Sequence, residues 1–261
     1  MDAALWSAKS GLEAQHKNIA TISNNLANAS TVGFKKDRLE FADLPYQLIK
    51  EPGALTTDET KSSTGLMIGT GVRVAASKKI FTPGSALTTN NKLDVAIEGR
   101  GFFKIEMPQT GEFVYTRTGT LHLDEQGQLV LHNGYVVQPA VTIPEGTQDI
   151  SISENGIISV ISSEGTTEEI GRFELVDFIN PSGLQPMGNN LYEETLSSGQ
   201  PIEGNPMLDG FGKIQQGQLE ASNVNVVEEM VNLIEAQRGF EMTSKVISAI
   251  DNMYQKLDRE T

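Results

Sequence analysis

Both ends of the 261-residue chain carry apolar residues seven positions apart, a pattern typical of long helices with one apolar face. Near the N-terminus the first row is Leu5, Leu12, Ile19 and Leu26, and a companion row contains Ala8, Ile22 and Ala29, with Gln15 interrupting it. No proline lies within residues 2–29. The pattern therefore predicts one helix, about 40 Å long at about 1.5 Å per residue.

A second and longer helix is predicted at the C-terminus. Its two rows are Val226, Leu233, Phe240, Ile247 and Tyr254, and Met230, Ala236, Thr243, Ile250 and Leu257. Asn225 followed by Glu228 resembles a capping box, and Glu229 adds a second acid near the positive end of the helix dipole. We expect this helix over about 224–258, with a length near 50 Å at about 1.5 Å per residue.

Neither apolar stripe has a predicted helix next to it in sequence. A single amphipathic helix exposes its stripe to water and is only marginally stable. The first and last segments are therefore expected to pack on each other, or on the same segments of neighbouring copies. Because the stripes lie at opposite ends of an otherwise β-like chain, the pattern favours self-assembly over a purely intramolecular core.

The middle of the chain, from about 32 to 220, alternates β-forming residues with Gly, Asn and Pro. The predicted hairpin corners are Asp124–Gly127, Asn133–Gly134 and Asn155–Gly156. Residues 51–71 are expected to form an extended loop or a long hairpin, and residues 180–220 irregular structure. The predicted fold class is α+β, with terminal helices forming an assembly coiled coil around a mainly antiparallel β middle region.

Three domains are expected from this pattern. The terminal helical core comprises residues 1–30 plus 224–261. An irregular and β-containing connecting domain comprises 31–94 plus 191–223 and includes the extended segment 46–63. The outer β domain comprises residues 95–190.

Composition excludes several classes of function. The net charge is −14, and no basic stripe is present that could displace counterions from nucleic acid. The chain has no cysteine, which excludes disulfides, thiolate metal sites and cysteine nucleophiles. It has no apolar run of about 18 residues, so membrane insertion is not expected. The first residues lack the basic and apolar regions of a cleaved secretory signal.

No motif in the chain indicates catalysis. The three histidines, His16, His122 and His132, lack the spacing of metal ligands, and no metalloprotease, phosphate-binding or nucleophile motif is present. A carboxylate-based hydrolase in the acidic middle region has no motif in its favour. We therefore expect a protein that is not an enzyme, with no catalytic residue, no metal and no cofactor.

Three segments carry a more specific signal. The first is Asn24-Asn25-Leu26-Ala27-Asn28, continuing to Thr31, Gly33, Phe34 and Lys35. The second runs from Asp94 to Gly99, then Gly101-Phe102-Phe103, and on to Tyr115-Thr116-Arg117 and Gly119. The third runs from Ser222 to Asn225, then Glu228 and Met230, and from Gln237 to Lys245.

Together these segments resemble the bacterial flagellar rod and hook family over the whole length of the chain. Tyr46–Ser63 resembles a stretch found in the distal-rod branch of that family and absent from its hook members. Gly239 stands where the family often has Ala, which costs about 1 kcal/mol of helix propensity. Thr243 replaces a frequent Asn.

The resemblance implies a structural subunit that polymerises into a rigid hollow shaft, with the terminal helices inside and the β domains outside. The implied partners are copies of the chain, other flagellar axial proteins (the proximal rod and the hook) and surrounding rings. The implied location is the flagellar basal body, spanning the periplasm after export through the flagellar type III apparatus. Alternatives are another rod or hook-type axial subunit, or a binding module on a coiled-coil stalk that forms closed oligomers.

Two sets of residues are predicted to carry this function. The predicted polymerisation interface is Leu5, Leu12, Ile19, Ile22, Asn24, Asn25, Leu26, Asn28, Val226, Met230, Leu233, Phe240, Ile247, Ile250, Tyr254 and Leu257. Asparagines beside an apolar stripe can form hydrogen bonds across a helix seam and fix its register. The predicted rod-straightening segment is 46–63, with Tyr46, Leu48, Ile49, Pro52 and Leu55, which is expected to lie along an adjacent subunit.

Overall fold

The computed structural model describes residues 3–51, 64–108, 110–162 and 165–260. These residues form two compact units. The helical unit contains the described residues of 1–27, 37–78 and 225–261, and the β unit contains those of 28–36 and 79–224.

Two long helices dominate the helical unit: α1 spans Ala3–Ala27 and α2 spans Val226–Glu260. Asn225 caps the start of α2 as predicted, because its Oδ1 accepts hydrogen bonds from Val227 N at 3.1 Å and Glu228 N at 3.4 Å. These bonds satisfy backbone donors that the first turn of a helix otherwise leaves without partners. Both helices predicted from the apolar stripes are confirmed, with ends within two residues of the expected positions.

The helical unit also contains four strands: β1 (Asp37–Asp43), β2 (Tyr46–Lys50), β3 (Leu66–Gly69) and β4 (Val72–Lys79). β1 pairs with β4. β2 pairs antiparallel with β3, with Leu48 opposite Met67. The β2–β3 pairing is the strand pair expected of a long hairpin around residues 51–71. Residues 52–63 of that prediction lie outside the described residues.

The β unit contains sixteen short strands. They are β5 (Ala86–Thr88), β6 (Val95–Glu98), β7 (Phe102–Glu106), β8 (Phe113–Thr116), β9 (Leu121–Leu123), β10 (Leu129–Leu131), β11 (Val136–Gln138), β12 (Thr147–Ile152), β13 (Ile157–Ser162), β14 (Thr167–Arg172), β15 (Leu175–Asp177), β16 (Gln185–Gly188), β17 (Leu191–Glu193), β18 (Ile202–Gly204), β19 (Lys213–Gln216) and β20 (Gln218–Glu220).

A 9-stranded sheet has the order β16-β17-β8-β7-β11-β10-β9, and β15 pairs with both β7 and β18. A second sheet has the order β12-β13-β14, and the pairs β6–β19 and β5–β20 stand apart from both sheets. The pairings in the β unit are antiparallel. The α+β class with a mainly antiparallel middle region is therefore confirmed.

The three predicted hairpin corners lie where the sequence placed them. Gly127, Gly134 and Gly156 each have a positive φ and donate a backbone hydrogen bond across the turn. At Gly156, φ is 82°, and an added Cβ would lie 2.8 Å from the backbone oxygen of Phe173. This position therefore requires glycine for both its conformation and its close packing.

Two groups of buried residues form the core of the β unit. The larger is mainly aliphatic, and Val95, Ile105, Ile158, Leu175 and Ile214 are among its least exposed members. The smaller is aromatic and is built from Phe102, Tyr115, Val176, Phe178, Leu184 and Tyr192. The rings of Tyr115 and Phe178 meet edge to face with centroids 4.8 Å apart, a geometry that aromatic pairs prefer.

Residues 180–220 are more regular than the sequence indicated. They contain β16 to β20, each only three or four residues long. β18, β19 and β20 pair with β15, β6 and β5, which lie far away in sequence. The expectation of irregular structure was wrong for these strands because pairing with a distant strand leaves no hairpin signal.

Candidate assembly interface

The two long helices lie antiparallel against each other. Near the end of α1, Asn25 Nδ2 donates to Glu229 Oε2 at 3.3 Å, close to the start of α2. In the middle, a Cβ added at Gly239 would lie 3.3 Å from Gln15 Nε2. Nearer the start of α1, a Cβ added at Gly11 would lie 3.6 Å from Thr243. Residue numbers therefore increase along α1 in the direction in which they decrease along α2, so the two helices are antiparallel.

The seam between the helices uses only part of the predicted interface. Ile22, Asn25 and Ile250 are buried. The half-buried members are Leu5, Leu12, Ile19, Leu26, Asn28, Leu233, Phe240 and Ile247, and the exposed ones are Asn24, Val226, Met230 and Tyr254. The side chain of Leu257 lies outside the described part of the chain. Part of each stripe is therefore buried within the chain, and the rest stays exposed where a partner can contact it.

Asn25 connects three elements of the helical unit. Besides its bond to Glu229, its Nδ2 donates to Asp37 O at 2.8 Å and its Oδ1 accepts from Asp37 N at 2.9 Å. Asn25 is 2% exposed and Glu229 4%, so these bonds form away from water. A buried side chain with satisfied hydrogen bonds favours one arrangement of its neighbours over others. Asn25 thus forms a hydrogen bond across the seam within one chain, while the predicted role of Asn24, Asn25 and Asn28 between copies stays a prediction.

A second apolar stripe runs along the exposed side of α2. Its members are Val227, Val231, Ile234, Met242, Val246 and Met253, each at least half exposed. At about 100° per residue, the first three lie roughly opposite the seam residue Ala236. Sequence reasoning missed this stripe because it followed only the heptad rows, although the spacing 227, 231, 234 was a visible signal.

The β2–β3 ribbon is also exposed and apolar. Tyr46, Leu48 and Ile49 on β2, and Leu66, Met67 and Ile68 on β3, all expose more than a third of their surface. Three of the predicted rod-straightening residues thus lie on a surface strand, while Pro52 and Leu55 lie outside the described residues. Grouped exposed apolar side chains of this kind mark interaction surfaces.

Gly239→Ala tests how tightly the seam is packed at Gln15. Replacing glycine with alanine in a helix gains about 1 kcal/mol of propensity. In this chain the new methyl group meets the Gln15 amide at 3.3 Å, so part of that gain is lost. We expect Gly239→Ala to raise the free energy of unfolding by about 1 kcal/mol in a Gln15→Ala background and by less in the parent chain. Urea unfolding of the four proteins measures both effects, and equal gains in the two backgrounds contradict the prediction.

The β unit contains a buried cluster of charged side chains. Lys35, Arg117 and Glu220 are each at most 3% exposed. Glu220 Oε1 lies 2.5 Å from Lys35 Nζ, and Glu220 Oε2 lies 3.5 Å from Arg117 Nη1. Arg117 Nη2 donates to Gly99 O at 2.8 Å, and the guanidinium lies 5.3 Å from the centre of the Phe102 ring. One carboxylate therefore lies between two cations.

Burial is the main influence on both cations. It lowers the pKa of Lys35, while the attraction of Glu220 raises it. It also lowers the pKa of Arg117, and Glu220 again acts in the opposite direction. Glu220 therefore stabilises two charges that the surrounding protein disfavours. Sequence reasoning named Lys35 and Arg117 within its motifs but not Glu220, which is 185 positions from Lys35.

Two further features of the described residues concern metal binding and membrane crossing. No group of three or more His, Asp or Glu side chains among them is arranged to hold a metal ion. Among the residues that the structure describes, no helix combines the length and apolar character that crossing a membrane requires. The notable features are instead a helix seam, two exposed apolar surfaces and a buried charge cluster.

Known protein families and relatives match this chain in sequence. Residues 5–35 match the family described as "Flagella basal body rod protein", 96–160 match "Flagellar hook protein FlgE/F/G D1 domain", and 215–260 match "Flagellar basal body rod FlgEFG protein C-terminal". The flagellar basal-body rod protein FlgG of Buchnera aphidicola from Acyrthosiphon pisum is 47% identical over 98% of both chains. FlgG of Borreliella burgdorferi is 47% identical over 96% of this chain and 95% of its own. The chain therefore belongs to the flagellar basal-body rod protein family, as a structural subunit of the distal rod and not an enzyme.

Proposed function

We propose that copies of this chain polymerise through their terminal helices into a rigid hollow shaft that crosses the periplasm and transmits motor torque to the hook. The observation that carries the proposal is the exposed apolar stripe of α2, from Val227 to Met253. Fully burying one such side chain contributes about 1.5–3 kcal/mol. Several buried together in a contact between copies can offset the loss of freedom on association.

The position of the stripe supports an open polymer. α2 uses one face to pack on α1 of its own chain and leaves a different face for another copy. A contact between two different surfaces repeats without limit when the rotation does not close, and it then produces a helical filament. Met230, which is a predicted interface residue and half exposed, lies on the same side of α2 as Ile234.

The remaining parts of the proposal rest on family membership. The terminal core of residues 1–30 plus 224–261 lines the shaft, the connecting domain of 31–94 plus 191–223 surrounds it, and 95–190 lie outermost. Other axial proteins, the proximal rod and the hook, join at the two ends, and rings surround the shaft. The chain reaches this site through the flagellar type III apparatus.

Ile234→Asp tests the proposal directly. It places a charge in the exposed stripe, where polymerisation would bury it without a partner at high cost. Because Ile234 is half exposed in the single chain, the fold is expected to remain intact. Gln237→Asp is the matched control, since it adds the same charge at an exposed position on the same part of α2.

We expect Ile234→Asp to abolish pelletable polymer while Gln237→Asp polymerises like the parent chain, with unchanged circular dichroism for both. Normal polymers from Ile234→Asp would remove the stripe from the assembly mechanism. Sedimentation also tests the alternative of a binding module on a coiled-coil stalk, because such a module gives discrete closed oligomers and not growing filaments.

We also propose that the segment 46–63 keeps the shaft straight. The β2–β3 ribbon presents Tyr46, Leu48, Ile49 and Met67 to solvent, and a neighbouring copy would bury them. A tube bends when neighbouring subunits slide past one another. A ribbon that lies along an adjacent subunit suppresses that sliding and so makes the shaft rigid.

A further inference from the structure

Two distant segments of the β unit are joined side by side. The first is 33–36, which follows α1, and the second is 220–223, which precedes α2. Gly33 N donates to Glu220 O at 2.8 Å, and Asn223 N donates to Phe34 O at 3.4 Å. Lys36 N donates to Asn223 Oδ1 at 2.8 Å. Gly33 has a φ of 71°, and an added Cβ would lie 2.8 Å from Thr118 Oγ1, so this position requires glycine.

A third segment, residues 80–84, ties the first two together. Lys35 Nζ donates to Thr82 O at 2.8 Å, and Gly84 N donates to Glu220 Oε1 at 3.0 Å. Asn223 Nδ2 donates to Ile80 O at 2.7 Å. The charged pair and the asparagine therefore hold both helix-connecting segments on the same stretch of backbone.

The joined segments lead directly to the helix pair. Lys36 is followed by Asp37, whose backbone is bonded to the side chain of Asn25 in α1. Asn223 lies two residues before Asn225, which caps α2. We propose that Lys35, Glu220 and Asn223 are positioning residues that lock the exit of α1 to the entry of α2, and thereby maintain the antiparallel pairing of the two helices.

The physical reason is effective concentration. Two helices whose connecting segments are held together meet far more often than helices joined through mobile segments. The hydrogen bonds from Lys35 to Thr82 O and from Gly84 N to Glu220 are directional and hold the connecting segments in place. Apolar side chains of similar volume cannot form such bonds. A buried ion pair, by contrast, is often replaceable by apolar residues without loss of stability. Apolar substitutions in the charged cluster are therefore expected to weaken the positioning of the helices while leaving the stability of the fold nearly unchanged.

The pairing is measured by cross-linking in the full chain. The sequence contains no cysteine, so Gly11→Cys with Thr243→Cys introduces a single reporter pair. A Cβ added at Gly11 would lie 3.6 Å from Cγ2 of Thr243, so side chains at these two positions meet across the seam. The rate of disulfide formation is measured at a dilution at which sedimentation shows monomer, and thermal unfolding of the same samples reports the fold.

In this background the triple variant Lys35→Met, Arg117→Met, Glu220→Leu replaces the charges with apolar side chains. We expect a cooperative thermal transition close to that of the parent, but disulfide formation slower by about ten-fold, since the side-chain bonds that hold the helix-connecting segments on residues 80–84 are lost. A folded triple variant that forms the disulfide at the parent rate overturns the proposal.

If the triple variant does not fold, Asn223→Ala tests the proposal instead. It removes the bonds to Lys36 N and Ile80 O from a half-buried position, and disulfide formation is expected to slow by about three-fold or more. Asn180→Ala is the control, because it loses a bond to Ser197 O in the same unit but away from both segments. Equal rates for Asn223→Ala and Asn180→Ala overturn the proposal.

Discussion

Glu220→Gln is expected to lower the free energy of unfolding of the β unit by about 3–5 kcal/mol, the usual cost of removing one partner from a buried charge network. Glu220 forms ion pairs with both Lys35 and Arg117. Its loss leaves two buried cations without their anion. Lys35→Met is expected to cost far less, because it leaves Glu220 paired with Arg117 and removes the excess positive charge.

The pKa of Lys35 supports this order of effects. Burial holds that pKa below its ordinary value, even with Glu220 alongside. A lysine whose pKa is lower in the folded than in the unfolded state binds its proton less readily when folded. Its charge therefore costs stability at neutral pH, and that cost fades as pH rises from the folded pKa toward the ordinary one. A neutral methionine avoids the cost at every pH.

Urea unfolding at neutral pH, followed by circular dichroism, measures these differences. Glu203→Gln is the matched control, since Glu203 pairs with Lys104 at 2.6 Å but is 47% exposed. An exposed pair of this kind contributes only about 0–1 kcal/mol. If Lys35→Met lowers the free energy of unfolding as much as Glu220→Gln does, the greater contribution predicted for Glu220 is wrong.

Deleting residues 46–63 is expected to convert straight polymers into curved ones without preventing polymerisation. The deletion removes β2 and the connection to β3, but it leaves the exposed stripe of α2 in place. The helices then still associate, while the contact proposed to resist sliding between neighbouring subunits is gone. Electron microscopy of the polymers measures the curvature.

A milder variant keeps the chain length constant. Leu48 and Met67 are directly opposite each other on β2 and β3, and both are about half exposed. Replacing both with serine removes apolar surface and leaves the backbone pairing possible, so we expect polymers of intermediate curvature. Straight and stiff polymers from the deletion would refute the straightening role, whereas loss of polymer would show that the segment is needed for assembly itself.

Local signals in the sequence determined the elements of the fold. The heptad rows and the Asn225 cap located α1 and α2 to within two residues, because helix periodicity and capping involve neighbours in the chain. The hairpin corners at Gly127, Gly134 and Gly156 were equally predictable, since a tight turn needs a residue that tolerates positive φ. The motifs around Asn25, Arg117 and Asn223 pointed to the family that the relatives then showed.

Only the tertiary structure decided which surfaces meet. The heptad rows could not show that α1 covers one face of α2 and leaves Val227, Val231 and Ile234 open, because both faces of α2 carry apolar residues at helical spacing. Glu220 carried no motif, yet it joins Lys35 and Arg117 across 185 and 103 positions of sequence. Contacts over such distances depend on how the whole β unit folds, and no periodicity along the chain encodes them.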